Sequence, residues 1–163
     1  MKQFRSVFSM LAGFVYPMAA FSVTGSEATL CQAFEEVYFS CEIDEKIISI
    51  CALGNISPAN GYVQYRYGTR DKLELQYPSK PLAPKGLLTI SDISEGDAQY
   101  THVKFRQNGF NYVVYQGIPS GIYVKRNGRT IFNRVCGNGE YQALNQRVYR
   151  GMQTVPPEDG VDQ

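Results

Sequence analysis

Residues 36–51 read EVYFSCEIDEKIISIC, two short apolar runs separated by a polar turn, with one cysteine on each run. Such runs of β-branched and aromatic residues around a polar turn are typical of a β-hairpin. We therefore expect a hairpin whose turn lies near residues 43–46. Its register places Val37 opposite Cys51 and leaves Cys41 close to the turn. We expect this hairpin to begin a larger antiparallel sheet.

The rest of the chain has the composition of an all-β domain. Of its 163 residues, 44% are hydrophobic and 13% aromatic, with 12 Tyr and no Trp. Short alternating runs between Gly, Pro and Asn residues indicate further strands, at 62–67, 71–77, 87–90, 99–107, 110–115, 122–126 and 129–136. Asn108-Gly109 and Asn127-Gly128 predict two-residue hairpin turns. We expect an antiparallel barrel or a two-sheet sandwich of eight or nine short strands, with a short C-terminal helical turn within 141–149.

Residues 1–22 have the layout of a signal peptide. Lys2 and Arg5 precede an apolar run, Pro17 interrupts it, and small residues follow up to Ser22. The run is too short to cross a bilayer as a stable helix. We therefore expect a single domain over 23–150, a flexible C-terminal tail over 151–163, and a bacterial periplasmic or secreted location without stable membrane insertion.

Four cysteines follow the signal sequence, and an even number in an exported chain is typical of disulfides. Their spacing lacks the C-x2-4-C pairs of a zinc site. The hairpin register separates Cys41 from Cys51, whereas Cys31 leads into the first strand where the second strand ends. Of the three possible connectivities we favour Cys31–Cys51 with Cys41–Cys136. We predict no metal and no cofactor.

The charge is nearly balanced but unevenly distributed. Beyond the signal sequence the chain carries 14 basic and 15 acidic side chains, which gives no indication of nucleic-acid binding. Six acidic residues and no basic one lie within 27–45, and eight basic residues and one acidic lie within 102–150. The pattern fits a first strand packed beside the last ones. It also fits a basic face that meets an acidic partner.

The sequence shows no convincing catalytic set. His102 is the single histidine, so any Ser-His-Asp or Cys-His arrangement would have to include it. Strand alternation places it on a solvent-facing surface beside Lys104 and Arg106, where a charged imidazolium is disfavoured. The acidic turn at 92–97 offers paired carboxylates, but polar turns usually carry such residues. We therefore expect a binding protein and not an enzyme.

Two strand faces rich in Tyr and Arg form the candidate binding surface. These residue types dominate binding hot spots because they are large and rigid with polar ends. The alternative is that tyrosine rings simply pack along the sheet. We predict contacts through the loops at 55–62 and 116–121 and through six side chains: Tyr62, Gln64, Arg66, Tyr100, His102 and Arg106.

The segments FSC at 39–41, SIC at 49–51 and GYVQYRYG at 61–68 resemble a recurring pattern in small uncharacterised exported proteins of Gram-negative bacteria. A looser resemblance is to periplasmic inhibitors of c-type lysozyme, which are small β-barrels. Those proteins have a strand-borne cysteine, here Cys41, and a Ser-rich loop ending in Gly-x-x-Tyr, approximated here by 57–62. The tryptophan of that family's second motif is absent, so the resemblance assigns no inhibitory residue.

A disulfide-linked all-β scaffold with proline- and glycine-rich loops leads us to expect a periplasmic binding protein. Such a protein would be an inhibitor or immunity protein that blocks a cell-wall- or membrane-attacking enzyme, so its partner would be an enzyme or toxin. The alternatives are a small carboxylate-dependent hydrolase that uses the acidic turn and a structural envelope component.

Overall fold

The computed structural model describes residues 28–137 and 141–162, so the expected signal peptide lies outside the described residues. Within these ranges no helix is long and apolar enough to cross a membrane. The elements, in chain order, are β1 (Glu36–Ile43), β2 (Lys46–Leu53), β3 (Tyr62–Gly68), β4 (Leu73–Tyr77), β5 (Leu88–Asp92), β6 (Thr101–Gln107), β7 (Phe110–Gln116), β8 (Gly121–Arg126), β9 (Arg129–Val135), β10 (Tyr141–Gln142), α1 (Val148–Gly151) and β11 (Gln153–Thr154).

The strands form two sheets that pack face to face. The first sheet has the order β10-β1-β2-β3-β4 and the second has the order β11-β5-β6-β7-β8-β9. Neighbouring strands are antiparallel except for β11, which pairs with β5 in parallel. The all-β prediction is therefore confirmed, and of its two architectures the sandwich is the observed one. The short C-terminal helical turn is also present, as α1.

The hairpins form where the sequence predicts them. In the first hairpin Val37 pairs with Cys51, and Asp44 takes the positive φ that the tight turn requires. Asn108-Gly109 and Asn127-Gly128 have positive φ at both positions. This conformation matches the right-handed twist of the flanking strands, which is why Asn-Gly is favoured there.

The core lies between the sheets because alternate residues of the central strands are apolar. Phe105 of the second sheet stacks between Tyr77 and Tyr112, with ring centroids 4.5 and 4.7 Å away. Core side chains that are at most 2% exposed include Phe39, Ile48, Ile50, Val63 and Tyr65 from the first sheet and Leu88, Ile90, Val103, Val114 and Ile122 from the second.

Both predicted disulfides are present. Cys31–Cys51 ties the chain before β1 to the outer face of the first sheet. Cys41–Cys136 joins the core side of β1 to the residue that follows β9, and so connects the two sheets. Glu35 lies near Cys31 and Cys51, but both sulfurs are in the disulfide and are not thiolate ligands for a metal.

The two ends of the described chain cover the outer faces of the two sheets. The N-terminal segment (residues 28–35) lies on the first sheet, where Ser40 Oγ donates to the Ala28 carbonyl at 2.6 Å. The C-terminal segment (residues 153–162) lies on the second sheet, beginning with β11.

The expectation of a flexible tail over 151–163 is wrong for residues 151–162. Met152 and Val161 are buried, and Asp162 is among the buried charged residues. These three side chains find partners on the second sheet and in the core. The prolines and acidic residues between them had suggested a solvated tail.

Candidate functional site

The six predicted binding residues lie on opposite sides of the sandwich and do not form one surface. Tyr62, Gln64 and Arg66 alternate with the core residues of β3, so they lie on the outer face of the first sheet. Tyr100, His102 and Arg106 belong to the outer side of the second sheet by the same alternation around β6.

The first group clamps the N-terminal segment onto the sheet. The Glu35 carboxylate accepts hydrogen bonds from Arg66 Nη1 at 2.5 Å and Nη2 at 2.7 Å, and from the Tyr62 hydroxyl at 2.7 Å. Gln64 Oε1 accepts from Arg66 Nη2 at 2.9 Å. Gln64 and Arg66 are only 3% and 5% exposed, so the expectation that they face a partner directly is wrong.

The charge state of Glu35 follows from this network. Burial alone raises the pKa of a carboxyl group, because it penalises the charged form. The hydrogen bonds from Arg66, from the backbone N–H of Gln32 and from Tyr62 outweigh burial and hold the pKa of Glu35 below its usual value. Glu35 is therefore an ionised, buried partner of Arg66.

The second group contains a buried cluster that the sequence did not indicate. His102 Nδ1 lies 2.7 Å from Asp162 Oδ1, and Lys104 Nζ donates to the other Asp162 oxygen. The Tyr123 hydroxyl donates to the Val161 carbonyl at 2.9 Å. The C-terminal segment thus covers His102 and Lys104, and the expectation that they face solvent is wrong.

The electrostatics of the cluster favour a neutral imidazole beside an ionised carboxylate. Burial lowers the pKa of His102, and it outweighs the opposing effect of Asp162; Lys104 and Lys125 lower the pKa further. Burial tends to raise the pKa of Asp162, but hydrogen bonds from Lys104 and His102 hold it below its usual value. A neutral His102 donates its Nδ1 proton to Asp162.

Beside this cluster lies a cavity of about 380 Å³ on the outer face of the second sheet, which we call the tyrosine cleft. Tyr100, Tyr115 and Tyr123 line it together with His102. The rings of Tyr115 and Tyr123 are 5.9 Å apart, and that of His102 is 5.7 Å from Tyr123. Thr130 and Asn133 add polar groups from β9, so the cleft offers aromatic walls with a polar rim.

A projecting loop at residues 117–120 borders the cleft. The Tyr100 hydroxyl donates to the Ile118 carbonyl at 3.1 Å, and Ser120 Oγ donates to the Gly117 carbonyl at 2.9 Å. Ser120 Oγ also lies 3.0 Å from the Tyr141 hydroxyl. The Tyr100 ring packs so closely on Gly117 that a Cβ there would lie 2.2 Å from ring atoms. The loop is held at several points, yet the Ile118 side chain at its tip is 95% exposed.

Part of this site was predictable from the sequence. Tyr100, His102 and the loop at 116–121 were predicted contacts, whereas Tyr115 and Tyr123 were not. These two tyrosines could have been found from the sequence, because they alternate with Val114 on β7, which pairs with β6, and with Val124 on β8, which pairs with β7. Asp162 was not, since no local pattern brings a residue 60 positions away onto His102.

Among the described residues, the hydrogen bonds of His102 do not include those of a catalytic triad. A His–Asp pair orients the base of a triad, which also needs a nucleophile hydrogen-bonded to the imidazole. Among the described residues, the only hydroxyl within hydrogen-bond distance of the His102 ring is that of Tyr123, 3.3 Å from Nδ1. The described cysteines are all in disulfides. Asp92, Glu95 and Asp97 are exposed in their turn.

Comparison with protein families, with curated proteins and with solved structures found no match to this chain. The resemblances suggested by the sequence therefore stay predictions. The protein is a disulfide-linked all-β sandwich with a tyrosine cleft on the outer face of its second sheet. The loop at 117–120 borders this cleft and exposes the apolar side chain of Ile118.

Proposed function

We propose that this chain is an exported protein-binding module that blocks an enzyme or toxin by inserting the loop at 117–120 into a cleft of its partner. The observation that carries the proposal is the 95% exposure of Ile118 on a loop held by Tyr100, Ser120 and Tyr141. Because the Ile118 side chain is almost fully exposed, a partner that covers it would bury nearly all of its apolar surface, and that burial favours binding.

The fixed geometry of the loop supports tight binding. Ordering a flexible loop on association costs free energy, and a loop already held in place avoids much of that cost. Tyr100 links the loop to the tyrosine cleft through its hydrogen bond to Ile118. Ile118 and the cleft tyrosines would then form one contact patch, with an aliphatic anchor beside rings of the type that dominates hot spots.

The charge of the second sheet indicates the chemistry of the partner surface. Residues 101–137, which contain β6 to β9, include no acidic residue. Arg126 and Arg129 are exposed, whereas the exposed Arg134 already pairs with Asp44 at 3.5 Å. A partner with an apolar cleft and an acidic rim would match this surface, because complementary charges speed encounter and disfavour other partners.

The covalent structure supports a location outside the cytoplasm. Two disulfides are typical of proteins that fold in an oxidising compartment. Together with the signal-peptide pattern at 1–22, they support a bacterial periplasmic or secreted location.

The test uses photo-crosslinking followed by an activity titration. A benzophenone amino acid replaces Ile118 in one variant and Ile56 in a matched control, since Ile56 is a 69% exposed isoleucine on the other predicted contact loop. Each oxidised protein is mixed with periplasmic extract and culture supernatant, and crosslinked proteins are identified by mass spectrometry. The partner is then purified, and its enzymatic activity is titrated with the unmodified protein.

We expect the variant with the crosslinker at position 118 to capture one dominant enzyme, and the variant with the crosslinker at position 56 not to capture that enzyme. The purified enzyme should lose its activity when one molecule of this protein is added per molecule of enzyme. Ile118→Asp should not inhibit, because a buried unpaired carboxylate is costly, whereas Ile56→Asp should inhibit like the original protein. An inhibitor that retains full potency with Ile118→Asp would contradict the proposed loop.

A further inference from the structure

A second cavity, of about 360 Å³, lies between the two sheets and is separate from the tyrosine cleft. We call it the inter-sheet cavity. Strands β3 and β4 of the first sheet and β7 to β9 of the second sheet supply its walls. The lining side chains are largely aromatic or aliphatic, and include Tyr65, Tyr67, Leu75, Tyr112, Val124 and Phe132. Aromatic and aliphatic walls with a few polar groups are the usual composition of small-molecule sites.

Tyr65 gives this cavity an unused hydrogen-bond donor. The residue is 2% exposed, and among the described residues its hydroxyl has no hydrogen-bond partner. Burial raises the pKa of Tyr65 well above its usual value, and neighbouring Tyr67 and Tyr112 raise it further, so the hydroxyl keeps its proton. Among the described residues, the fully buried side-chain atoms without a partner are Arg66 Nε and Gln107 Oε1, so the unpaired Tyr65 hydroxyl is not sealed off from the cavity. A ligand oxygen that enters the cavity can therefore accept its hydrogen bond.

The charged side chain that lines the cavity is already paired. Glu74 lines the cavity, but its carboxylate accepts a 2.6 Å hydrogen bond from Lys46, whose Nζ also lies 5.2 Å from the centroid of the Tyr67 ring. The lining therefore favours an uncharged ligand. An apolar cavity of about 150 Å³ can hold benzene, so this larger one has room for a substituted ring.

We propose that the inter-sheet cavity binds a small, uncharged ring compound whose oxygen accepts a hydrogen bond from the Tyr65 hydroxyl. The apolar walls supply most of the affinity, and Tyr65 selects ligands that carry the oxygen. The site does not depend on the proposed protein partner, because the loop at 117–120 connects the ends of β7 and β8 and the tyrosine cleft lies on the outer face of the second sheet.

The test is a ¹⁹F NMR titration with two matched probes, 4-fluorophenol and fluorobenzene, which differ in the hydroxyl group. Both are added to the oxidised protein and to three variants whose folding is checked by circular dichroism and thermal unfolding. Tyr65→Phe removes the donor and keeps the ring. Leu75→Trp fills the cavity from the edge strand β4. Tyr115→Phe is the control, because it removes a hydroxyl of the same type from the tyrosine cleft.

We expect both probes to bind the original protein in fast exchange, with 4-fluorophenol the tighter. Tyr65→Phe should weaken 4-fluorophenol about fivefold, the usual effect of one neutral hydrogen bond, and leave fluorobenzene unchanged. Leu75→Trp should abolish both, and Tyr115→Phe should change neither. Any one of three results would overturn the proposal. Neither probe binds at millimolar concentration, Tyr65→Phe weakens both probes equally, or a folded Leu75→Trp protein binds the probes as the original does.

Discussion

At the scale of single residues, two buried carboxylates fix the chain ends to the sandwich, and they do so in different ways. Glu35 pairs with Arg66, and hydrogen bonds from Arg66, Gln32 and Tyr62 hold the pKa of Glu35 below its usual value, so Glu35 stays ionised in mild acid. Asp162 pairs with Lys104 and with His102, which titrates. The contact between Glu35 and Arg66 should therefore be insensitive to mild acid. The contact of Asp162 with His102 should be sensitive to it, because His102 can take up a proton.

The Glu35–Arg66 pair should contribute strongly to stability. Glu35→Gln leaves the Arg66 guanidinium buried without its counter-charge, which costs about 3–5 kcal/mol of unfolding free energy. The exposed pair Lys46–Glu74 is the matched control, and Glu74→Gln should cost much less unfolding free energy than Glu35→Gln, because solvent screens an exposed pair. Urea unfolding measures both. Similar losses in the two variants would show that Glu35 is not the buried clamp described here.

His102 should make stability depend on pH in mild acid. Its pKa is below the ordinary 6.5 in the folded protein, so below pH 6.5 the unfolded chain takes up a proton that folded His102 resists. The unfolding free energy should therefore fall as the pH drops from about 7.5 to about 5.5. Asp162 adds a further loss only at lower pH, because its pKa lies below 3.8.

The control for this effect is His102→Gln, which cannot titrate. It should show a smaller change in unfolding free energy between the same two pH values, measured by urea unfolding. His102 is the chain's single histidine, so the comparison isolates its contribution. An equal pH dependence in both proteins would place the titrating group elsewhere.

The limits of the sequence are clear at these residues. Period-two alternation correctly placed Gln64, Arg66 and His102 on the sheet faces that point away from the core. It could not show that these faces are covered, because the covering segments reach them from 31 and 60 positions away. Polar side chains on one face of a strand usually indicate that this face is exposed to solvent. In this protein Arg66 and His102 instead pair with buried carboxylates.

At the scale of elements, the hairpins were predictable because their signals are local. A turn dipeptide such as Asn108-Gly109 fixes the register of β6 and β7, and Val37 opposite Cys51 fixes the first hairpin. That register also excluded Cys41–Cys51 and led to the observed disulfides. The two-residue strands β10 and β11 carry no pattern of their own and were missed, since they form only through pairing with β1 and β5.

The two disulfides should differ in their contribution to stability. Cys41–Cys136 closes a loop of 95 residues and Cys31–Cys51 one of 20. On the chain-entropy account these are worth about 4.7 and about 3 kcal/mol. Urea unfolding of the Cys41→Ala/Cys136→Ala and Cys31→Ser/Cys51→Ser proteins measures both. The first should lose more, and a larger loss from the second would mean that pinning the N-terminal segment matters more than joining the sheets.

At the scale of the whole molecule, the covering segments determine which surface is left for a partner. The N-terminal segment covers polar residues of the first sheet, and the C-terminal segment covers part of the second. The tyrosine cleft lies next to the C-terminal segment, with Asp162 in its wall, and the loop at 117–120 stands at its border. In the predicted loop at 55–62, Asn55 is buried and donates to the Gly151 carbonyl at 2.9 Å, while Ile56 stays 69% exposed.

The affinity of the purified partner for matched loop variants tests the central claim most directly. Isothermal titration calorimetry would compare the original protein with Ile118→Asp and Ile56→Asp. If Ile118 anchors the complex, its substitution should cost at least about 2 kcal/mol, or roughly a thirtyfold loss of affinity, while Ile56→Asp binds unchanged. Unchanged affinity with Ile118→Asp, or a loss confined to Ile56→Asp, would contradict the assignment of the loop at 117–120 as the binding element.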